Sequence, residues 1–228
     1  ITANLDVRDY DGNHYYMWDA QDQYWEGHEW NKGGSQPTLN ANIPGSTSSS
    51  DYAQSNTDSR YYNESFPGNG ISNPATHTSF NNIPNVNEMI WYAEKGDPRW
   101  DADEVWTTMG HLYKGGMWFK KRAYISGYDK NAAVNGTDRR THPEAFSTTT
   151  PSHTLPDVTD ASKYFYLPAL GYYDGGMLQA VGTIALYWSS SANPWSRSGA
   201  YNLKFSSNSI IVEDGYYRGE GYRVQAFE

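Results

Sequence analysis

The chain has 228 residues, a formal net charge of −9 and no cysteine. At this size it buries roughly 70% of its unfolded surface, and with aliphatic residues scarce, its 9 Trp, 20 Tyr and 7 Phe must form much of the core. The acidic balance repels a phosphate backbone, which excludes nucleic acid as an expected partner, and the lack of cysteine removes disulfides, thiolate metal sites and cysteine nucleophiles.

The opening ITANLDVRDYDGN has neither the charged start nor the apolar middle of a signal peptide, and no run reaches the roughly 18 apolar residues of a membrane span. A soluble chain is expected, whole or trimmed. Residues 13 to 30, NHYYMWDAQDQYWEGHEW, are too rich in Tyr and Trp for a disordered leader and read as a hairpin or two short strands. Residues 31 to 75 are dense in Gly, Pro, Ser and Asn without a sustained period, the composition of a loop-rich insertion anchored at Tyr61, Tyr62 and Phe66. PNVNEMIWYAEKG predicts a helix: Asn85 and Glu88 have capping-box spacing, Met89, Tyr92 and Ala93 form one stripe, and Gly96 is a stop. A second helical stretch is expected from about Asp103 to Leu112, then GGMWFKKRAYISGY as a strand after a Gly-Gly turn, with residues 129 to 160 irregular.

From Tyr164 onward short antiparallel strands follow one another: YFYLPAL, a Tyr-Asp-Gly-Gly turn, MLQAVG, ALYWSSS, AYNLKF, SIIVED and GYRVQAF. Alternation puts Leu203, Phe205, Ile210, Val212, Tyr222 and Val224 on a core face and Asn202, Lys204, Ser206, Ile211 and Glu213 on the other. The plain reading of the second set is a solvated polar face. Ile211 argues for a cover, either a bound partner or a loop from residues 135 to 160.

Three stretches carry a family likeness. IPNVNEM resembles the L-P-T-x-x-E-W opening of a helix, YFYLPALGYYDGG resembles F-x-x-L-P-x-G-Y-R-x-x-x-G, and YWSSS, AYNLKF and GYRVQAF resemble Y-W-S-S-T, A-x-x-L and G-F-S-V-R. In this order, over about residues 76 to 228, the chain resembles the Fibrobacter succinogenes major paralogous domain family, whose members have a C-type-lectin-like fold. The tail is also similar to the variable proteins of diversity-generating retroelements in gut Bacteroidales, in which such a fold displays a mutable patch at the tip of a surface protein or pilus. Asn85 stands for the family's usual Thr, Met89 for its Trp, and Ala169 and Leu170 where glycine is frequent.

The resemblance implies constant positions at Tyr187, Trp188, Ser189, Ser190, Ala200, Leu203, Phe205, Arg218, Gly221, Tyr222 and Val224. Between them it places Ile184, Leu186, Asn202, Lys204, Ser206, Ser209, Ile211, Glu213, Asp214, Tyr216, Tyr217, Gly219 and Glu220 on a ligand-binding face. Tyr and the small polar residues suit such a surface, because Tyr offers large contact area at low entropy cost and Ser, Gly and Asn adapt their hydrogen bonds. Tyr216 and Tyr217 are the expected anchors, while Arg197 beside Trp195 reads either as a recognition pair or as a surface stack.

Catalytic patterns are missing. GHEW at 27 to 30 has no second His at the H-E-x-x-H position, the six histidines are dispersed, and no G-x-S-x-G or phosphate-binding glycine loop appears. Asp101 with Asp103, or Glu213 with Asp214, could supply oxygen to calcium, but acidic surface is the default. The formylglycine-generating enzymes related to the resembled fold work through cysteine, which is absent here.

The expectation is therefore α+β: a C-type-lectin-like fold of antiparallel strands with one or two helices and long loops, spanning 1–228 as one domain. No catalytic residue, metal or cofactor is expected. The partner is a glycan or protein on a host or neighbouring cell, with pilus or surface-assembly subunits beside it, and the location is the bacterial cell surface. A subunit-packing domain and a glycan-active hydrolase, which needs two carboxyl groups roughly 5–9.5 Å apart, stay as alternatives.

Overall fold

The computed structural model describes residues 7–27, 57–64, 68, 70–142, 147–214 and 217–228. The architecture is α+β, with one α-helix and a majority of strands among the described residues. Most of the expected 31 to 75 insertion, the GHEW pair His28 and Glu29, Phe66 and Tyr216 lie outside the described residues.

The helix, α1 (Val86–Lys95), starts as its sequence predicts: the Asn85 side chain accepts the Glu88 amide at 3.1 Å and Glu88 Oε2 accepts the Asn85 amide at 2.8 Å. It ends at Gly96, where a Cβ would meet the Tyr92 carbonyl at 2.3 Å, so only glycine fits. Burial is wider than the expected stripe, taking in Val86, Ile90 and Trp91 as well. A loop closes over the far side, with Trp91 Nε1 donating to Ala132 O at 2.8 Å and Asn87 Nδ2 to Asp138 Oδ1 at 2.9 Å.

A four-stranded sheet has the order β1 (Arg8–Asp9), β3 (Arg99–Thr108), β4 (His111–Lys120), β6 (Tyr164–Pro168). The helix expected between Asp103 and Leu112 is instead the β3–β4 hairpin. A register shift between Asp101 and Val105 hides the two-residue period from the sequence, and Asp101 Oδ1 holds the bulge by accepting the Asp103 and Glu104 amides, both at 3.0 Å. The turn falls at Met109 and Gly110, whose φ values of 49° and 77° suit a tight hairpin. The Gly-Gly pair is not a turn: Gly115 and Gly116 lie inside β4, where a Cβ on Gly116 would come within 2.3 Å of the Tyr166 hydroxyl.

The second sheet has six strands in the order β2 (Tyr15–Tyr16), β12 (Tyr222–Arg223), β9 (Ile184–Ala192), β10 (Ala200–Ser206), β11 (Ile210–Glu213), β5 (Ser147–Thr149). The two short strands expected in residues 13 to 30 reduce to β2, which pairs with β12, while β1 precedes that stretch and joins the other sheet. A hairpin of β7 (Tyr172–Asp174) and β8 (Met177–Gln179) turns at Gly175 and Gly176, as the Tyr-Asp-Gly-Gly run predicts.

The sheets pack against each other directly, the Phe119 ring 6.0 Å from the Phe205 ring, with α1 packed on the six-stranded sheet, and the main core lies between them. Leu203, Phe205, Ile210 and Val212 point into it, meeting Met117, Phe119, Phe165 and Leu167. Tyr222 and Val224 do not share that face. β12 runs parallel to β9 with Arg223 opposite Tyr187, so Tyr222 turns outward and stacks on Trp188 at 4.1 Å. Both residues are still buried, in a separate aromatic cluster with Trp18, Phe80 and Ile83. No helix among the described residues is long and apolar enough to cross a membrane.

Phe205 is fully buried between the Tyr187 ring at 5.9 Å and the Phe119 ring at 6.0 Å. Phe205→Ala is expected to cost about 3–5 kcal/mol in urea unfolding; a loss below about 1 kcal/mol would place the ring outside the core.

Candidate ligand-binding face

The outer face of the six-stranded sheet divides into two halves. On the β12–β9 half the polypeptide covers itself. Trp18 donates its indole N–H to Ser189 O at 2.9 Å, and Trp188 donates to Tyr16 O at 2.7 Å. Phe80 and Ile83 complete the lid, and Leu186 lies beneath it, 1% exposed. Ile184 is half-buried against the same cluster. Alternation places both side chains on the outer face, but that face is core here, so Leu186 is not presented to a ligand.

The β10–β11 half is polar and only partly covered. Lys204, Ser206, Ser209 and Ile211 are half-buried there, and Ser206 and Ser209 bring their hydroxyls to 3.3 Å. Ile211 sits opposite Thr148 of β5, so a strand from the 135 to 160 stretch flanks it at the sheet edge. Asn202 is fully buried, donating from Nδ2 to Glu213 O at 3.2 Å. Glu213 is 9% exposed, with Oε1 lying 3.7 Å from Lys204 Nζ. Asn202 and Glu213 are therefore supports of this half more than contacts.

The remaining face residues lie on the segment after β11. Asp214 is half-buried and accepts from Asn193 Nδ2. Tyr217 is 67% exposed, while Gly219 and Glu220 are half-buried, and Glu220 accepts from the Tyr222 hydroxyl. Beside this segment runs the loop after β9. Asn193 shapes it, its Oδ1 accepting the Trp195 amide at 2.7 Å and its own amide donating to Gly199 O at 3.1 Å. A bridge between Gly199 and Tyr217 joins the two segments. Trp195, 58% exposed, and Tyr217 thus stand on neighbouring stretches of backbone. The signal for Trp195 was its place in the Asn-Pro-Trp turn, which family spacing leaves off the face.

Arg218 fastens these pieces. It is fully buried, its guanidinium 4.6 Å from the centre of the Trp18 ring. Nε donates to Gly199 O at 2.9 Å, Nη2 to Ser196 O at 3.1 Å and Nη1 to Asn63 O. Its main-chain amide donates to Ser198 O at 2.6 Å, and its carbonyl accepts the Trp18 amide at 2.8 Å. Burial pulls its pKa down to about 10, with the charge of Asp19 opposing the shift, so the group stays cationic at neutral pH.

Three carboxyl groups on the face are harder to ionise than usual. Burial is the main cause for Glu213, Asp214 and Glu220, with Lys204 partly offsetting it at Glu213 and at Glu220. Glu220 is pushed up to about 7, the charge of Asp174 adding to the effect of burial. No group of three or more His, Asp or Glu among the described residues is placed to hold a metal ion. Comparison with models of protein families, with curated proteins and with solved structures finds no match.

The raised Glu220 pKa fixes a sign. Below the usual value of 4.5 both folded and unfolded chains carry the proton; as pH rises through about 7 the folded side chain must ionise where it is poorly solvated, and its stabilising contribution is lost. Between about pH 5 and pH 8, unfolding free energy is expected to fall by about 1–2 kcal/mol on account of this group, allowing for its partial exposure. Glu220→Gln should flatten that slope in urea titrations, and an unchanged slope would remove Glu220 as its source.

Proposed function

We propose that this chain is a ligand-binding domain of adhesin type with a C-type-lectin-like fold, acting by recognition at the bacterial cell surface, pilus tips included. The ligand is a glycan or protein. It docks on the outer face of the six-stranded sheet where Tyr217 and Trp195 stand beside the polar half of β10 and β11. Lys204, Ser206 and Glu220 then set polarity, and the resemblance to retroelement variable proteins makes these the positions at which specificity changes.

The observation that supports this most is the pair of exposed rings, Trp195 and Tyr217, on segments held by the Gly199–Tyr217 bridge and by a buried arginine. Large rings on a stiff backbone lose little freedom when covered, which makes them suited to be affinity anchors. The burial of Leu186 beneath Trp18, Phe80 and Ile83 supports a site on the β10–β11 side.

The double variant Trp195→Ala with Tyr217→Ala tests the reading. Binding to a glycan array and to host-cell surface proteins is expected to weaken at least tenfold, about 1.4 kcal/mol or more. The melting temperature should stay within about 3 °C, because neither ring is core. Undiminished binding would refute the anchors, and a large drop in melting temperature would show the rings to be structural.

A further inference from the structure

Behind α1, lined by its Glu88 and Tyr92, lies a pocket of ≈ 530 Å³. Its apolar wall is Ile83, Pro84 and Phe227, and Arg122 and Lys130 line it with Glu88. The volume falls within the roughly 300–1,000 Å³ range of small-molecule sites.

The charges in this pocket are unbalanced. Glu88 has both oxygens engaged, Oε2 by the Asn85 amide at 2.8 Å and Oε1 by the Tyr128 hydroxyl at 2.7 Å. Arg122 and Lys130 are exposed, and among the described residues neither side chain makes an ion pair or a hydrogen bond. That is unusual for a chain of net charge −9. A second pocket, of ≈ 440 Å³, shows the contrast. There Arg99 pairs with Asp97 at 2.9 Å, Lys120 with Asp97 at 3.5 Å and Lys163 with Asp160 at 2.7 Å. That pocket is internally neutralised, whereas the one behind α1 holds two exposed cations against a single carboxylate, Glu88, whose oxygens are already taken by the Asn85 amide and the Tyr128 hydroxyl.

We propose that the pocket behind α1 is a second binding site, for a saccharide of one or two rings carrying an oxyanion, either a uronic-acid carboxylate or a sulfate ester. Arg122 presents a planar fork that can take two oxygens of a carboxylate or sulfate, and Lys130 adds a point charge. The wall of Ile83, Pro84 and Phe227 receives the less polar face of the ring. A small ligand suits the site better than an extended chain, since the cations open onto a concave pocket and not onto a groove.

The experiment is calorimetric titration of the full chain with glucuronate, glucose and inorganic sulfate. Glucuronate is expected to bind at about millimolar Kd or tighter, glucose at least about tenfold more weakly, and the glucuronate affinity should fall as salt is raised. Arg122→Gln with Lys130→Gln should lose about tenfold or more with the melting temperature unchanged, because both side chains are exposed. Ala226→Trp, which adds bulk at an exposed lining position, should block binding while both cations are kept. Sulfate that displaces glucuronate and is lost in the same variants supports the site and identifies the oxyanion as the recognised group. Absence of glucuronate binding at about 50 mM, or equal binding by wild type and both variants, overturns the proposal.

Discussion

A buried guanidinium holds the candidate face together. Arg218 gives three of its donors to the carbonyls of Gly199, Ser196 and Asn63 and sits 4.6 Å from the centre of the Trp18 ring. Removing a charge from water costs several kcal/mol, and that cost is recovered only when the donors are nearly all used. The Ser196 and Asn63 carbonyls lie on segments outside any strand, and the Gly199 carbonyl takes the arginine beside the Asn193 amide. The arginine and the loops therefore support one another, and among the ties that hold the loops carrying Trp195 and Tyr217, the Arg218 side chain is the one that joins three separate segments.

Asp19 provides the complementary fixture on the neighbouring turn. It is fully buried and accepts from the Thr76 amide at 2.6 Å, the His77 amide at 2.9 Å and Asn63 Nδ2 at 2.9 Å. Trp18 precedes Asp19 in sequence and carries the Arg218 guanidinium 4.6 Å from its ring centre, so the early segment is pinned over the β12–β9 half of the sheet. That pinning divides the outer face: aromatic packing seals one half, and the other is left to polar side chains and the two exposed rings. On the polar side, burial of the individual carboxyls is what makes Glu213, Asp214 and Glu220 hold their protons more tightly than exposed carboxyls do.

Local rules made much of this readable in the sequence. Asn85, Glu88 and Gly96 mark the helix through hydrogen bonds only a few residues long, and Leu203, Phe205, Ile210 and Val212 mark the core through simple alternation. Three features depend on distant partners and were not legible. The bulge at Asp101 breaks the period of β3, so a hairpin read as helix. The register of β12 against β9, with Arg223 opposite Tyr187, sets the side on which Tyr222 packs, and no local signal encodes that pairing. The burial of Leu186 depends on Trp18, Phe80 and Ile83, more than 100 residues away in sequence. Strand alternation identifies which side a residue faces, but only tertiary packing decides whether that side meets solvent.

The central claim is that Arg218 is what keeps the display segments in place, and hydrogen exchange on Arg218→Lys tests it most directly. Lysine keeps the charge but cannot bridge several carbonyls at once. The account predicts that amides within 193–199 and 217–221 lose protection by about tenfold or more, while those of β9, β10 and α1 keep theirs under conditions where the fold is intact. Unchanged protection in both loops would contradict it, since the segments would then be held by something other than the buried arginine.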